Sequence, residues 1–192
     1  MRFLIGIGFG VCRYGQPLGP VQGVGYINEL LARLTQTPVR DNTQTNRTLT
    51  SSPVTFPLDR TIYADFTHDN LIVAVLSAMG MFKQKRGHLD PRVKEGGRSW
   101  IVSRIVPFSG RVVVERVECR GVRAGHEVEG VQEDDMMKET FVRILVNDAV
   151  QPLPFCKSDE EGLCTLKAFV KSQAYARHDG EGDFEKCFSK EN

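Results

Sequence analysis

Apolar side chains recur at two different spacings along the chain, and the spacing separates helical from strand-like segments. Residues 21–35 and 70–81 carry apolar positions at helical spacing. A third helical pattern covers residues 166–176, with Thr165 as its N-cap. Residues typical of strands are concentrated in five segments: 60–66, 99–106, 111–119, 140–146 and 150–153. The chain thus combines helical and strand-like segments, with four of the strand-like segments in succession between residues 99 and 153.

Polar, Gly-rich and Pro-rich stretches separate these elements. The predicted loops are residues 15–25, 41–57 and 83–97; the predicted turns are residues 107–110 and 147–148; and residues 120–138 form a polar, acidic connection between two strands. The turn at 107–110 and the connection at 120–138 make the strands on either side of each candidates for antiparallel pairing.

The most informative local feature is the pair His68-Asp69, at the end of the predicted strand 60–66 and the start of the next helix. In open α/β sheets, ligands bind at such junctions, and the N–H groups of a helix N-terminus favour anions. A carboxylic acid there could protonate a leaving oxygen, so the pair suits phosphate chemistry. Taken alone, the dipeptide is also consistent with a helix whose N-cap is Asp69 or Asn70, beside a histidine that merely ends a strand.

Composition narrows the class of protein. The 192 residues are 41% hydrophobic and 26% charged, as in soluble globular domains, and the formal net charge is +1. We therefore expect neither nucleic acid nor an anionic membrane as a partner. Apolar runs stay well below the ~20 residues that cross a bilayer. Residues 1–11 are apolar but lack a small-x-small cleavage site, which favours a buried strand or an arbitrary start over a signal peptide.

Five cysteines are present, at positions 12, 119, 156, 164 and 187, so at least one stays unpaired if the others form disulfides. Cys156 and Cys164 bracket a polar segment that a disulfide could close. The alternative is a pair of metal thiolates, but the spacing is not Cys-x-x-Cys and nothing completes a metal site. Asn46 begins an Asn-Arg-Thr glycosylation sequon. A disulfide and a sequon together favour a secretory setting.

Several segments, in order, resemble the C-terminal part of the secreted fungal histidine acid phosphatases, most closely the phytases. The segments that carry this resemblance are Pro17-Leu18-Gly19-Pro20, residues 28–34, residues 63–70 with His-Asp, Val106-Pro107-Phe108, residues 142–148, Phe169-Val170-Lys171 and Cys187-Phe188. The resemblance covers about residues 13–192, and residues 1–12 form an atypical N-terminal segment.

The resemblance implies a fold, a reaction and a substrate class. The fold would be α/β, part of a mixed sheet with helices on both faces. The reaction would be hydrolysis of a phosphate monoester such as phytate through a phosphohistidine, without metal or other cofactor, by a secreted enzyme. Asp69 would protonate the leaving alkoxide and then act as base, and His68 would contact a phosphoryl oxygen. Cys156 and Cys164 would be the family's local disulfide.

One family motif is missing from the 192 residues. The family's nucleophilic histidine lies in Arg-His-Gly-x-Arg-x-Pro, and this sequence contains no such string. Arg86-Gly87-His88 has the wrong order, Gly125-His126 lacks the arginines, and Arg177-His178-Asp179 follows a helix rather than a strand. The resemblance also implies that Cys119 and Cys187 match cysteines whose partners lie upstream in the family.

We therefore expect a truncated histidine acid phosphatase whose sheet is incomplete because the N-terminal half is absent. The strand predicted at residues 60–66 would then have an unpaired edge, which promotes aggregation. The isolated chain would be poorly soluble or partly unfolded, and inactive. Two other functions stay open: a non-catalytic secreted module that binds phosphate esters through His68, and a non-functional fragment.

Overall fold

The computed structural model describes residues 18–83, 97–120 and 138–188. They form two compact units: residues up to 111 together with 173–188, and residues 112–172. The atypical segment 1–12, most of the predicted loop 83–97, His88, His126 and residues 121–137 of the predicted connection lie outside the described residues.

Eight short α-helices and four strands are assigned within these ranges. In chain order they are α1 (Leu18–Val21), α2 (Val24–Thr35), α3 (Arg47–Thr50), α4 (Asp69–Met79), α5 (Val102–Ile105), β1 (Val112–Arg120), β2 (Lys138–Val146), β3 (Ala149–Val150), a 3₁₀ turn (Pro154–Cys156), β4 (Cys164–Thr165), α6 (Leu166–Ser172), α7 (Ala174–Arg177) and α8 (Asp183–Lys186). The α/β class predicted from the sequence is confirmed.

The core of the first unit forms where α1 and α2 pack against α4, and α7 packs against α2. Apolar side chains at helical spacing bury the facing sides of α2 and α4. The fully buried members include Val24, Ile27, Val73 and Leu76. Both predicted helices are thus confirmed, and the packing of α4 fixes the helix whose exposed N-terminus carries the His68-Asp69 pair.

A polar network crosses the same core. The side chain of Asn28 on α2 is buried and donates from Nδ2 to Asp41 Oδ1 at 2.8 Å and to the Ala176 carbonyl at 2.9 Å. Asp41 in turn accepts from the backbone N–H groups of Thr43 and Thr45, each at 3.0 Å. Asn28 therefore joins α2 to the loop that follows it and to α7, which is remote in the sequence.

The strand predicted at residues 60–66 is wrong. Among the residues that the structure describes, the backbone of 61–67 forms no main-chain hydrogen bond, although the segment after Thr61 is free of turns. Ile62 is 82% exposed and Phe66 96% exposed. A strand requires a neighbour to complete its ladder, and the residue pattern alone cannot supply one.

Two further expectations need correction. Residues 99–106 contain the helical turn α5 rather than a strand, because the buried pair Val102 and Ile105 is three residues apart, on one helical face. The N-cap of α4 is His68 instead of Asp69 or Asn70, and its side chain makes no capping hydrogen bond. Asp69 is the first residue of the helix.

The second unit is an open antiparallel sheet covered by α6. β1 pairs with β2 along its whole length, from Val112 opposite Val146 to Arg120 opposite Lys138. β3 and β4 also pair with β2. Val142, Ile144 and Val146 alternate into the interior, and Phe169 of α6 is fully buried. The strands predicted at 111–119 and 140–146 are confirmed.

Turn chemistry in this unit agrees with the sequence. Asn147 and Asp148 both have positive φ, at 50° and 67°, as a two-residue hairpin between β2 and β3 requires. Thr165 Oγ1 accepts from Ala168 N at 3.2 Å at the start of α6, which confirms the predicted N-cap. The helix predicted at 166–176 is divided at Gln173, between α6 and α7.

Across the described part of the chain, none of the helices combines the length and the hydrophobicity needed to span a membrane.

Candidate functional site

His68 and Asp69 lie side by side where the extended segment enters α4. His68 has extended backbone angles (φ −108°, ψ 163°), and its carbonyl accepts from Leu71 N and Ile72 N, both at 3.1 Å. Asp69 Oδ1 accepts from Asn70 N at 2.8 Å. Both residues are exposed. An imidazole and a carboxyl group are therefore presented together to solvent at the N-terminus of an eleven-residue helix.

The approach to this pair is anchored to α2 by Arg33. The Arg33 guanidinium donates to both oxygens of Asp65, at 2.5 Å and 3.3 Å. Its Cζ atom lies 4.9 Å from the ring centroids of both Phe56 and Tyr63. A guanidinium that hydrogen-bonds a carboxylate and also contacts two aromatic rings combines charge, hydrogen bonding and cation–π attraction. Arg33 thus holds the segment that ends at His68, three residues beyond Asp65.

Tyr26 adds a second contact to the same carboxylate. Its hydroxyl donates to Asp65 Oδ2 at 3.2 Å. Burial, together with the charge and hydrogen bond of Asp65, raises the pKa of Tyr26 to about 12. Tyr26 therefore stays a neutral donor across the physiological range and cannot compete with Asp65 as an anion. Tyr26 and Arg33 are seven residues apart, so one face of α2 carries both anchors.

Replacing Arg33 should loosen this anchor. Arg33→Met keeps the aliphatic part of the side chain but loses the guanidinium that bonds Asp65. Because Arg33 is largely buried, we expect the free energy of unfolding to fall by about 1–2 kcal/mol. Trypsin should then cut after the exposed Arg60 several-fold faster. Arg33→Lys is the matched control. It keeps the charge but loses the planar guanidinium, so its stability and cleavage rate should lie between those of the parent and Arg33→Met. An unchanged cleavage rate in Arg33→Met would show that the segment is held by other contacts.

The sequence did not identify Tyr26, Arg33 and Asp65 as a unit. Asp65 lies in the motif that carries the family resemblance, and the seven-residue spacing on α2 was visible. What was missing is the pairing itself, because Arg33 and Asp65 are separated by 32 positions.

The other histidine in the described residues has a different environment. His178 is exposed and forms the C-cap of α7. Its neighbour Asp179 accepts from both the backbone N–H and the Nδ2 group of Asn42, at 2.9 Å and 2.7 Å. Asp179 thus holds the loop that follows α2.

The cysteines and the sequon have clear positions. Cys156 and Cys164 form a disulfide in the second unit, as the resemblance implied, and Cys119 and Cys187 are free and exposed. Asn46 is exposed and caps α3, its side chain accepting from Thr48 N at 3.0 Å. Within the described ranges, His, Cys, Asp and Glu side chains form no group of three or more that could hold a metal ion.

Comparison with known proteins identifies the class. The family model of the histidine phosphatase superfamily (branch 2) matches residues 5–147, and the chain belongs to this family. Curated relatives named Phytase A include those of Emericella nidulans, 42% identical over 177 residues, and Aspergillus fumigatus, 41% identical over 179 residues. The Phytase A of Neurospora crassa is 41% identical over 194 residues.

Each of these alignments covers 91% of this chain. It covers 34%, 34% and 37% of the respective relatives, so the chain spans about a third of their length.

Proposed function

We propose that this chain supplies the proton-donor part of a phosphomonoesterase active site of the acid phosphatase or phytase type. The observation that carries the proposal is the placement of His68 and Asp69: adjacent, exposed, at the N-terminus of α4 and behind a segment anchored by Arg33. Membership of the histidine phosphatase superfamily and identity of about 40% to Phytase A proteins support it.

Asp69 would act at the leaving group. When a nucleophilic histidine attacks phosphorus, the P–O bond to the alcohol breaks, and the alkoxide is a poor leaving group unless it receives a proton. The Asp69 carboxyl group would donate that proton as the bond breaks. In the second step the Asp69 carboxylate would take a proton from water, whose oxygen attacks phosphorus and releases the histidine. Asp69 thus loses one proton in the first step and regains one in the second.

His68 would bind the phosphoryl group. An imidazole N–H donates a hydrogen bond to a phosphoryl oxygen, where negative charge accumulates during transfer. Backbone N–H groups at the start of a helix favour the same anion.

The nucleophile would come from another segment of polypeptide, because the 192 residues contain no Arg-His-Gly-x-Arg-x-Pro string. We therefore propose that the chain alone does not hydrolyse phosphate esters. The substrate we propose is a phosphate monoester such as phytate. A secretory setting and glycosylation of Asn46 complete the proposal: the disulfide suits an oxidising compartment, and the exposed Asn46 can carry a glycan on Nδ2 while Oδ1 still caps α3.

Asp69 can be tested in a chimera in which this chain replaces the aligned 177 residues of the Emericella nidulans relative. Asp69→Asn should reduce kcat for p-nitrophenyl phosphate by about 10²–10⁴-fold, since an amide cannot donate the proton. The matched control is Asp59→Asn, an exposed carboxylate ten residues earlier, which should leave kcat unchanged. The 192-residue chain on its own should show no turnover.

Two results would contradict the proposal. Turnover by the isolated chain that disappears in Asp69→Asn would mean that no outside nucleophile is needed. Equal kcat in Asp69→Asn and the parent chimera would remove Asp69 from the reaction. Binding of a phosphate ester through His68 without turnover in the chimera would instead support the non-catalytic module.

A further inference from the structure

The first unit contains a cavity of about 490 Å³ that includes none of residues 60–70. It is lined by the loop after α2, by α3 and its flanking residues, and by the end of α7. Its volume is within the range of small-molecule sites. The cavity therefore shares no lining residue with the site at His68 and Asp69.

Three arginines line this cavity: Arg40, Arg47 and Arg177. All three are exposed. Arg47 donates to Asn42 Oδ1 and, at 3.4 Å, to the Asp41 carbonyl, which fixes its guanidinium at the wall. Within the part of the chain that the structure describes, the guanidinium groups of Arg40 and Arg177 have neither a hydrogen-bond nor an ion-pair partner. The guanidinium groups of Arg40 and Arg177, on different segments, are thus available to a ligand.

The two carboxylates in the lining, Asp41 and Asp179, accept hydrogen bonds from neutral groups. Asp41 is buried, and its oxygens accept from Asn28 and from the turn residues Thr43 and Thr45. Both oxygens of Asp179 accept from Asn42. The lining therefore keeps a formal charge of +1, from three arginines against two carboxylates, and the guanidinium groups of Arg40 and Arg177 remain accessible.

We propose that this cavity is a non-catalytic binding site for a small polyanion that carries at least two phosphate groups. The planar guanidinium of arginine matches a phosphate in a two-point hydrogen bond, and Arg40 and Arg177 come from separate elements. A single phosphate would occupy only a small part of a 490 Å³ cavity. A ligand with several phosphates can bind the guanidinium groups of Arg40 and Arg177 at the same time, while Arg47 is held at the cavity wall by its own hydrogen bonds. This site goes beyond the proposed hydrolysis and does not depend on it.

Titration calorimetry of the 192-residue chain with sodium tripolyphosphate tests the proposal, with inorganic phosphate as the single-phosphate comparison. Tripolyphosphate should bind more tightly than phosphate, and added salt should weaken it. Arg40→Gln and Arg177→Gln should each weaken binding about tenfold, as expected when one charge-assisted hydrogen bond is lost. Arg40→Lys should fall between, because it keeps the charge but loses the fork.

The matched control is Arg116→Gln, which removes one exposed arginine charge from β1 in the second unit and should leave affinity unchanged. Binding should also survive in a His68→Ala, Asp69→Asn background, which separates this site from the proposed active site. Three results would each overturn the proposal. They are equal affinity for phosphate and tripolyphosphate, equal losses of affinity in Arg40→Gln and Arg116→Gln, and loss of tripolyphosphate binding only in the His68→Ala, Asp69→Asn variant. Far-UV circular dichroism establishes that every variant is folded.

Discussion

Gly23→Ala is expected to destabilise the first unit by about 3 kcal/mol, a large part of the stability of an ordinary domain. A Cβ atom at Gly23 would lie 2.6 Å from the Ala74 carbonyl oxygen and 2.9 Å from the Ala78 Cβ atom. The first of these neighbours is backbone of α4 and cannot turn aside. The junction of α1 and α2 would therefore have to move away from α4, against the core that both share.

The measurement is urea unfolding followed by fluorescence of Trp100. This is the single tryptophan of the chain, it is 2% exposed, and it lies in the first unit, so it reports that unit. Gly97→Ala is the matched control, because a Cβ there meets nothing within 4 Å. A free energy of unfolding within about 0.5 kcal/mol of the parent would mean that α4 shifts at little cost.

Because α4 carries Asp69, the same change has a functional consequence in the chimera. We expect Gly23→Ala to lower kcat, while Gly97→Ala leaves it unchanged, since displacement of a catalytic group by about 1 Å can cost two orders of magnitude.

Asp41→Ala is the second change with a large expected effect, about 3–4 kcal/mol in the free energy of unfolding. Asp41 is 6% exposed, and its oxygens accept from Asn28 Nδ2 at 2.8 Å and from three backbone N–H groups at 3.0 Å: those of Thr43, Gln44 and Thr45. Alanine removes every acceptor and leaves the buried Asn28 amide short of one partner. Asp59→Ala, at an exposed position, is the control and should change little.

Asp41 also predicts a pH dependence. Burial alone would raise the pKa of Asp41, but hydrogen bonds from Thr45, Asn28 and Thr43 outweigh it and lower the pKa below its usual value. A lowered pKa means that the folded state favours the anion. Its contribution to stability is complete above about pH 4, near the unfolded pKa, and declines as pH falls through the lower folded pKa.

The comparison of parent and Asp41→Ala across pH isolates this term. The difference in their free energies of unfolding should shrink as pH falls below about 4. Both proteins carry Glu29→Gln in this comparison, because burial and, to a smaller extent, the charge of Asp41 raise the pKa of Glu29, so that its titration would differ between parent and Asp41→Ala. A difference that stays constant down to about pH 2 would show that Asp41 acts only by its shape and not by its charge.

Much of the local structure was available from the sequence. The helices α2 and α4, the strands β1 and β2, the N-cap at Thr165 and the turn at Asn147-Asp148 follow from the spacing of apolar side chains and from residues that accept positive φ. The same sequence pointed to His68-Asp69 through a resemblance that family membership now supports. These features depend on neighbours a few positions away, so a linear reading reaches them.

Other features were decided only by tertiary structure. The pattern at residues 60–66 is that of a strand, yet the described chain gives it no partner, and Arg33 anchors it instead through Asp65, 32 positions away. Asn28 reaches Ala176 across 148 positions, and the arginine-lined cavity is assembled from three separate elements. Contacts of this kind depend on which remote groups meet in space, because both partners must be buried or paired at once. The sequence therefore determined α2, α4, β1 and β2 and the chemistry at the start of α4, and the packing of α2 against α4 and α7 decided how that chemistry is held.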